Sequence, residues 1–455
     1  MIKDEFKDRI RRDLPETGEK LIAALENDEA TTAIRINRRK CPEMPELERV
    51  AWCENGFYLK GREAFTFDPL MHAGCYYVQD ASSMILSYIN KVLLNEPVRY
   101  LDLCAAPGGK SLAALDVLPD GSILVSNEIV QTRASILKEN IMKWGRTNCI
   151  VTNSDASTFG KMEGQFDVIA ADVPCSGEGM MRKDEEAASQ WSETLVKQCA
   201  QLQRKIVGEA WSALRHGGLL IYSTCTFNRS EDEENAEWIA DELGAESIDL
   251  NMPEEWNVTK GTGTKVHCYH FLPGTVRGEG LFVCVLQKTA EQDSRRIKTR
   301  QPAVIKAEQV KRWLKGDMAL TTDSEGAIYA VESRHKDFMN ALTATAHVIM
   351  AGTETATIKG KDAVPSEGLA LSTAIDEKAF ATAEVDYPTA IAYLRGEAIC
   401  VEAPKGYVAI TYRGQRLGFV KNLGNRANNM LPKNWRIRSS HAPEDAPKII
   451  KKYQD

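Results

Sequence analysis

Two cysteines, Cys175 and Cys225, and one carboxylate, Asp172, each stand where a short apolar run breaks off. The runs are residues 166–171 and 218–223, followed by DVPCSG and TCT respectively. If the runs are neighbouring strands, both thiols reach one crevice beside Asp172. A single free cysteine is usually a small buried hydrophobe. Two at adjacent strand ends, next to an acid, suit a particular chemistry. Carbon 5 of a cytosine is a poor nucleophile. A thiolate adding to carbon 6 makes carbon 5 enamine-like and able to attack a methyl donor, which splits one hard step into easier ones. A carboxyl group at ring nitrogen 3 stabilises the adduct. A base must then remove the carbon 5 proton, and the enzyme–base bond must break. Spacing leaves open which cysteine attacks.

A third feature lies upstream. Residues 98–103 form an apolar run that ends in the small-residue loop Cys104, Ala105, Ala106, Pro107, Gly108 and Gly109, followed by Lys110 and a helix-prone segment. Strand, glycine loop and helix present a nucleotide-like ligand at the carboxyl end of the first strand of a doubly wound sheet. Paired glycines admit the ligand to the backbone, and the helix start offers unpaired N–H groups. The loop is not G-x-G-x-x-G, so a dinucleotide fingerprint fits poorly. Glu128 ends the next run, about twenty residues on, where an acid can accept both ribose hydroxyls of an adenosine-like ligand. Asp155 ends the run after it, placed to meet an adenine edge. Cys104 reads as small filler.

The elements that must position these residues follow from hydrophobic periodicity. Strands are expected at 98–103, 122–127, 148–152, 166–171, 218–223, 245–249 and 280–287, and helices at 110–118, 131–143, 187–215 and 231–242. This alternation predicts a doubly wound, Rossmann-like α/β domain. Ser230 is the expected cap of an acidic helix start over residues 231–234. Before this domain come two short helices and a strand over 33–40 that ends in Arg38, Arg39 and Lys40. These cations read as a solvated strand end in preference to an RNA contact. Residues 41–75 are turn-rich, and Gln79 and Asp80 read as residues that pin a helix start in preference to binding substrate.

Residues 288–303 read as a linker, and 304–375 as a smaller α+β module with no functional reading. Strands are expected at 398–401, 407–412 and 417–420. From residue 411 onward ten cations face three acids, in a chain whose net charge is −7. Tyr412, Phe419 and Trp435 are interleaved with these cations, as in surfaces that stack on bases. The resulting division is 1–75, 76–290, 304–375 and 376–455.

Composition narrows the class. With 43% hydrophobic and 27% charged residues the 455-residue chain is globular. It has no run of eighteen apolar residues, so no membrane span is expected. Eleven cysteines form no C-x-x-C pair, which argues against zinc ribbons and suits reduced thiols in a cytoplasmic protein.

The motifs LDLCAAPGGK (101–110), DVPCSGEG (172–179), YSTCT (222–226) and EDEEN (231–235) together resemble the Sun/nucleolar-antigen family of RNA cytosine-C5 methyltransferases. Residues 72–84, HFLPGT (270–275) and GEG (278–280) resemble it too. The tail segments GQRLGFVK (414–421) and NMLPKNWR (429–436) resemble the PUA-like domain of the RsmF-type branch, which methylates 16S ribosomal RNA. The resemblance implies S-adenosylmethionine as cofactor and RNA as partner, most directly 16S rRNA or the small ribosomal subunit, with a monomer as the default. It implies Cys225 as nucleophile, Cys175 as the residue assisting product release, and Asp172 on the cytosine. The loop 104–110 with Glu128, Arg133, Asp155 and Asp172 would hold the cofactor. Two other readings stay open at this level: a transfer RNA methyltransferase, and a catalytically silent RNA-binding assembly factor.

Overall fold

The computed structural model describes residues 2–450 apart from 296, 298, 300–306, 324, 361, 440 and 448. Residues 300–303 of the expected linker, and Lys448, Lys451, Lys452 and Asp455 of the tail, lie outside the described residues.

The chain opens with helices Asp4–Asp13 and Gly18–Asn27, whose apolar faces (Phe6, Ile10, Leu21) pack with Trp191, Phe227 and Leu272 of the catalytic region. Strands β1 (Ala33–Ile36), β2 (Gly56–Tyr58) and β3 (Tyr76–Val78) then form an antiparallel sheet with β1 in the centre. The strand expected over 33–40 stops at Ile36, and Arg38 to Lys40 form a turn.

The main sheet is built from β4 (Arg99–Asp102), β5 (Ile123–Asn127), β6 (Cys149–Thr152), β7 (Phe166–Asp172) and β8 (Leu214–Thr224), with β9 (Ala245–Ser247), β10 (Thr259–Lys260), β11 (Cys268–Phe271) and β12 (Leu281–Lys288) on one side. Strands β8-β7-β4-β5-β6 run parallel in that order, and β12 and β11 add antiparallel. Strands β4, β5, β6 and β7 are continuous apolar runs because both faces of the sheet are covered. From β4 the chain winds outward through β5 to β6, then returns to β7 on β4's other side. The order therefore reverses at β4, and a crevice opens at the carboxyl ends of β4 and β7.

Beyond it, β13 (Met318–Thr322), β14 (Ala327–Glu332), β16 (Thr353–Lys359) and β17 (Asp362–Pro365) form an antiparallel sheet. The intervening β15 (Val348–Ala351) leaves this group and pairs antiparallel with β6, so the middle module extends the main sheet. The last sheet contains β18 (Ala381–Glu384), β19 (Gly406–Tyr412), β20 (Gln415–Asn422) and β21 (Ala427–Asn429). No helix among the described residues is long and apolar enough to cross a membrane.

Several expectations are corrected. The helix expected at 187–215 is two helices, Glu185–Gln190 and Glu193–Ala210. The break is at fully buried Trp191, whose indole N–H donates to Glu178, and Ser192 caps the second helix. The helix after β8 starts at Glu233 with Asp232, not Ser230, before it. The strand expected at 398–401 is a single bridge, Ile399 to Ala427. Tyr412, Phe419 and Trp435 are at most 7% exposed and fill the core of the last domain, so none is free to stack on a base.

One buried carboxyl joins the middle and last modules. Glu367 meets the Tyr393 hydroxyl and accepts from the Phe419 N–H at 3.1 Å. Burial pushes it up to about 7. An acid raised above its unfolded value is protonated only in the native state between about 4.5 and 7, so this stability is lost as pH rises through that window. Glu367→Gln keeps both hydrogen bonds without titrating. Its thermal midpoint is expected to gain on the native protein between pH 5 and 8, by an equivalent of about 3 kcal/mol. A pH-independent difference in calorimetry would contradict this.

Candidate active site

The small-residue loop turns off β4 over the sheet's carboxyl edge. Leu103 N–H donates to Ala170 O at 2.9 Å and Ala105 N–H to Asn127 O at 2.7 Å, which fixes the loop to both neighbouring strands. Gly108 caps helix Gly109–Val117 with φ +117°, a conformation that favours glycine. A Cβ on Gly109 would stand 3.2 Å from the Tyr77 ring. The loop faces a cavity of about 330 Å³. Cys104, Ala105, Ala106, Pro107, Gly109, Lys110, Asp172 and Cys225 line one side, and Tyr77, Gln79, Asp80, Met180, Lys183 and Glu279 close the other.

Register brings the two cysteines together. Asp172 pairs with Ser223 across the parallel strands β7 and β8, so the segments that follow both strands lie side by side. The Cys175 and Cys225 sulfurs are 2.9 Å apart. The hydrogen bond with Cys225, then burial, pushes the Cys175 thiol well up, and either sulfur can donate in the bond between them. Asp172 accepts from Lys110 Nζ at 2.8 Å and from the Ser223 hydroxyl at 2.9 Å. Burial alone would lower Lys110, but Asp172 outweighs it and holds the ammonium above its usual value.

A buried polar layer supports this pair. Glu231 accepts from the Ser176 N–H and hydroxyl, Asn228 and Gln203, and so fixes the loop that carries Cys175. Glu178 accepts from the Phe227 N–H, Trp191 and Asn228. Gly179 N–H donates to Cys225 O at 2.7 Å. A Cβ there would fall 2.9 Å from that oxygen and 2.8 Å from Glu279 O. Gly179→Ala is therefore expected to displace Cys225 and cost roughly 100-fold in turnover with the fold retained. Single-turnover kinetics beside a melting curve check this, and native rates would contradict it.

Not every expected residue lines the cavity. Glu128 is buried at the end of β5, where its carboxylate accepts from the Val130 N–H at 2.9 Å and lies 3.4 Å from Arg133. Arg133 is largely exposed and donates to Ala106 O at 2.9 Å, which steadies the loop from outside. Asp155 is exposed and caps helix Ala156–Gly160 through the Ser157 hydroxyl and N–H, which hold it below the usual carboxylate range. Gly108 and half-buried Cys175 are not among the residues that line the cavity.

The sequence reading left out Lys110 as the partner of Asp172, and favoured a capping part for Gln79 and Asp80 over a place at the substrate. Asp80 does both: it accepts from the Ser83 N–H and from the Glu279 N–H while facing the cavity. The acidic run is structural, as expected, but through more than a helix start: Glu231, Asp232 and Glu233 are buried and only Glu234 is exposed. Glu231 holds the cysteine loop, Asp232 accepts from Thr224 and Thr226, and Glu233 meets His270 at 2.9 Å. Four acids packed between residues 231 and 234, with HFLPGT downstream, were the only signal.

Three family descriptions match consecutive parts of the chain. "16S rRNA methyltransferase RsmB/F" matches residues 92–287, "N-terminal domain of 16S rRNA methyltransferase RsmF" residues 2–81, and "Methyltransferase RsmF PUA domain" residues 380–437. A ribosomal RNA small subunit methyltransferase F of Shewanella loihica is 30% identical over 85% of this chain and 83% of its own length. One from Enterobacter sp. is 29% identical over 94% of this chain and 95% of its own. Among solved structures, a methyltransferase homolog from Pyrococcus horikoshii superposes with a TM-score of 0.53 at 22% identity, covering 63% of this chain and 95% of that one. NSun6 of the same organism, solved with SFG, gives 0.54 at 17% identity over 64% of this chain and 99% of that one. These two likenesses establish the fold, a Rossmann-like methyltransferase domain. Full-length similarity and the ordered run of three matched regions show that the chain belongs to the RsmB/F family of 16S rRNA methyltransferases.

Proposed function

We propose that the chain methylates carbon 5 of a cytosine in 16S rRNA, with S-adenosylmethionine as donor and Cys225 as nucleophile. The observation that carries this reading is the pair of thiols 2.9 Å apart beside Asp172, at a cavity walled by the small-residue loop. The donor fits this loop: glycine gives close backbone approach, Gly108 needs its positive φ, and Glu128 supplies a buried carboxylate at the next strand end. Cys104 to Lys110, Glu128, Arg133, Asp155 and Asp172 are its proposed holders, Glu128, Arg133 and Asp155 from outside the cavity lining. Bound there, S-adenosylmethionine supplies an electrophilic methyl group.

The chain's own residues do the rest. The target base leaves its stack to reach the cavity. Asp172, held by Lys110 and Ser223, meets the ring edge at nitrogen 3. The Cys225 sulfur, having given up its proton, bonds to carbon 6, and the ring's electrons move to carbon 5, which would take the methyl group as the donor's sulfur keeps the electrons of the methyl–sulfur bond. After a base takes the carbon 5 proton, the sulfur–carbon bond breaks and Cys225 recovers its electron pair. Cys175, against the same sulfur, assists this release. Residues 1–75 and 376–455 act as RNA-binding units around the catalytic region 76–290, with 304–375 between, in a cytoplasmic monomer.

Bisulfite sequencing of ribosomal and transfer RNA from cells with and without the protein tests this. Protected cytosines are expected to vanish from 16S rRNA when the protein is absent. Loss confined to transfer RNA would overturn the substrate, and no change would overturn the activity.

A further inference from the structure

A second cavity, of about 660 Å³, opens where the N-terminal sheet, the middle module and the last sheet meet. Arg39 and Lys40 enter it from the turn after β1, Lys315 from the middle module, and Glu377, Glu384 and Arg416 from the last. Both acids are occupied. Glu377 is 2.8 Å from Lys315, and Glu384 lies 3.3 Å from the Gly414 N–H. Among the described residues no ion pair reaches Arg39, Lys40 or Arg416. Lys40 donates instead to the carbonyl oxygens of Ala73 and Lys143 at 2.7 and 2.5 Å.

The cations repel one another. Burial holds Lys40 down to about 7, and Arg416 pushes in the same direction. Burial likewise holds neighbouring Arg146 down to about 10, with Arg39 adding to it. Four cations share the lining with two acids, Glu377 acting on Arg416 as well as Lys315, so the cleft keeps an excess of positive charge that an anion relieves. The cleft is also tied to the active site. On β1, Arg35 donates to Gln79 at 2.9 Å, and Gln79 lines the catalytic cavity. Arg39 follows four residues later, at most about 14 Å of backbone away.

We propose that this cleft holds backbone phosphates of the substrate RNA outside the target nucleotide, with Arg39, Lys315 and Arg416 as the contacting cations. The proposal rests on the RNA methyltransferase reading and specifies where that RNA is gripped. Three separate modules then clamp one strand, and the turn after β1 is an RNA contact, not merely a solvated strand end. Residues 304–375 gain a function through Lys315. Phosphate contacts of this kind set register and orientation without reading sequence.

The test uses the full chain, a 16S rRNA fragment that it methylates, and the variants Arg39→Glu, Arg416→Glu and their double, with Arg39→Gln and Arg416→Gln as conservative partners. RNA affinity is measured against KCl concentration, and S-adenosylmethionine affinity by calorimetry. Each charge reversal is expected to weaken RNA binding roughly tenfold and to lower the salt slope by about one. The glutamine variants should fall between, with donor affinity and melting midpoint unchanged. Unaltered affinity and slope in the double variant, with methylation intact, would overturn the cleft while leaving the activity standing. A native protein that neither binds nor methylates the RNA would instead overturn the activity. Competition by inorganic phosphate as effective as by RNA would assign the cleft to a small anion and overturn the proposal.

Discussion

Cys225→Ala is expected to abolish methyl transfer, by roughly 10⁴-fold or more, while Cys175→Ala traps a covalent protein–RNA adduct. The two outcomes differ because the sulfurs, though 2.9 Å apart, stand in different environments. Cys225 lines the cavity where a base would sit, and Cys175 does not. The bond to Cys225 and burial push the Cys175 thiol well up, which suits a proton-holding companion of a departing sulfur. Removing Cys225 removes the atom that bonds to carbon 6, and no adduct forms. Removing Cys175 leaves attack and methylation intact and stalls elimination, so the bonded species accumulates. Denaturing gels of protein incubated with RNA and donor read this directly, as a shifted band in Cys175→Ala that is lost in the double variant. A band retained by Cys225→Ala and lost in Cys175→Ala would exchange the two roles.

The meeting of these cysteines was legible because it depends on features that sequence carries well. Parallel strands covered on both faces are continuous apolar runs, and their carboxyl ends fall where the runs stop. Asp172, Cys175 and Cys225 could therefore be placed from strand ends alone. What side chains do after a strand ends is far less visible. Glu128 turns back to its own loop and Asp155 caps a helix, since a nearby backbone N–H competes for each carboxylate. The acidic residues 231–233 read as a helix start, and their partners were invisible because burial of a charge depends on distant donors such as Gln203 and His270. Edge pairing is equally remote. Nothing near residues 348–351 announces that β15 leaves its own module for β6. In the tail, positive charge was readable, but an aromatic residue among cations is as often core as contact, and Phe419 and Trp435 are core.

Asp172→Asn is expected to lower turnover by roughly 100- to 1,000-fold and to suppress adduct formation, while the chain stays folded. In the native site one carboxylate oxygen faces Lys110 and the other the Ser223 hydroxyl. Asparagine keeps the shape but loses the charge, and its amide N–H₂ can face only one of these donors by giving up an acceptor. The Lys110 side chain is 18% exposed, so its ammonium is left in a largely dry site without its counter-charge. An unpaired group of this kind costs about 1–3 kcal/mol, a modest fall in melting midpoint. The catalytic loss should be larger, because Asp172 acts where the adduct places charge on the ring and not only in holding Lys110. Lys110→Ala separates the two effects: it frees Asp172 without removing it, so adduct formation should survive better than in Asp172→Asn. Equal losses in both variants would make Asp172 only the anchor of Lys110, and native turnover in Asp172→Asn would remove it from the reaction altogether.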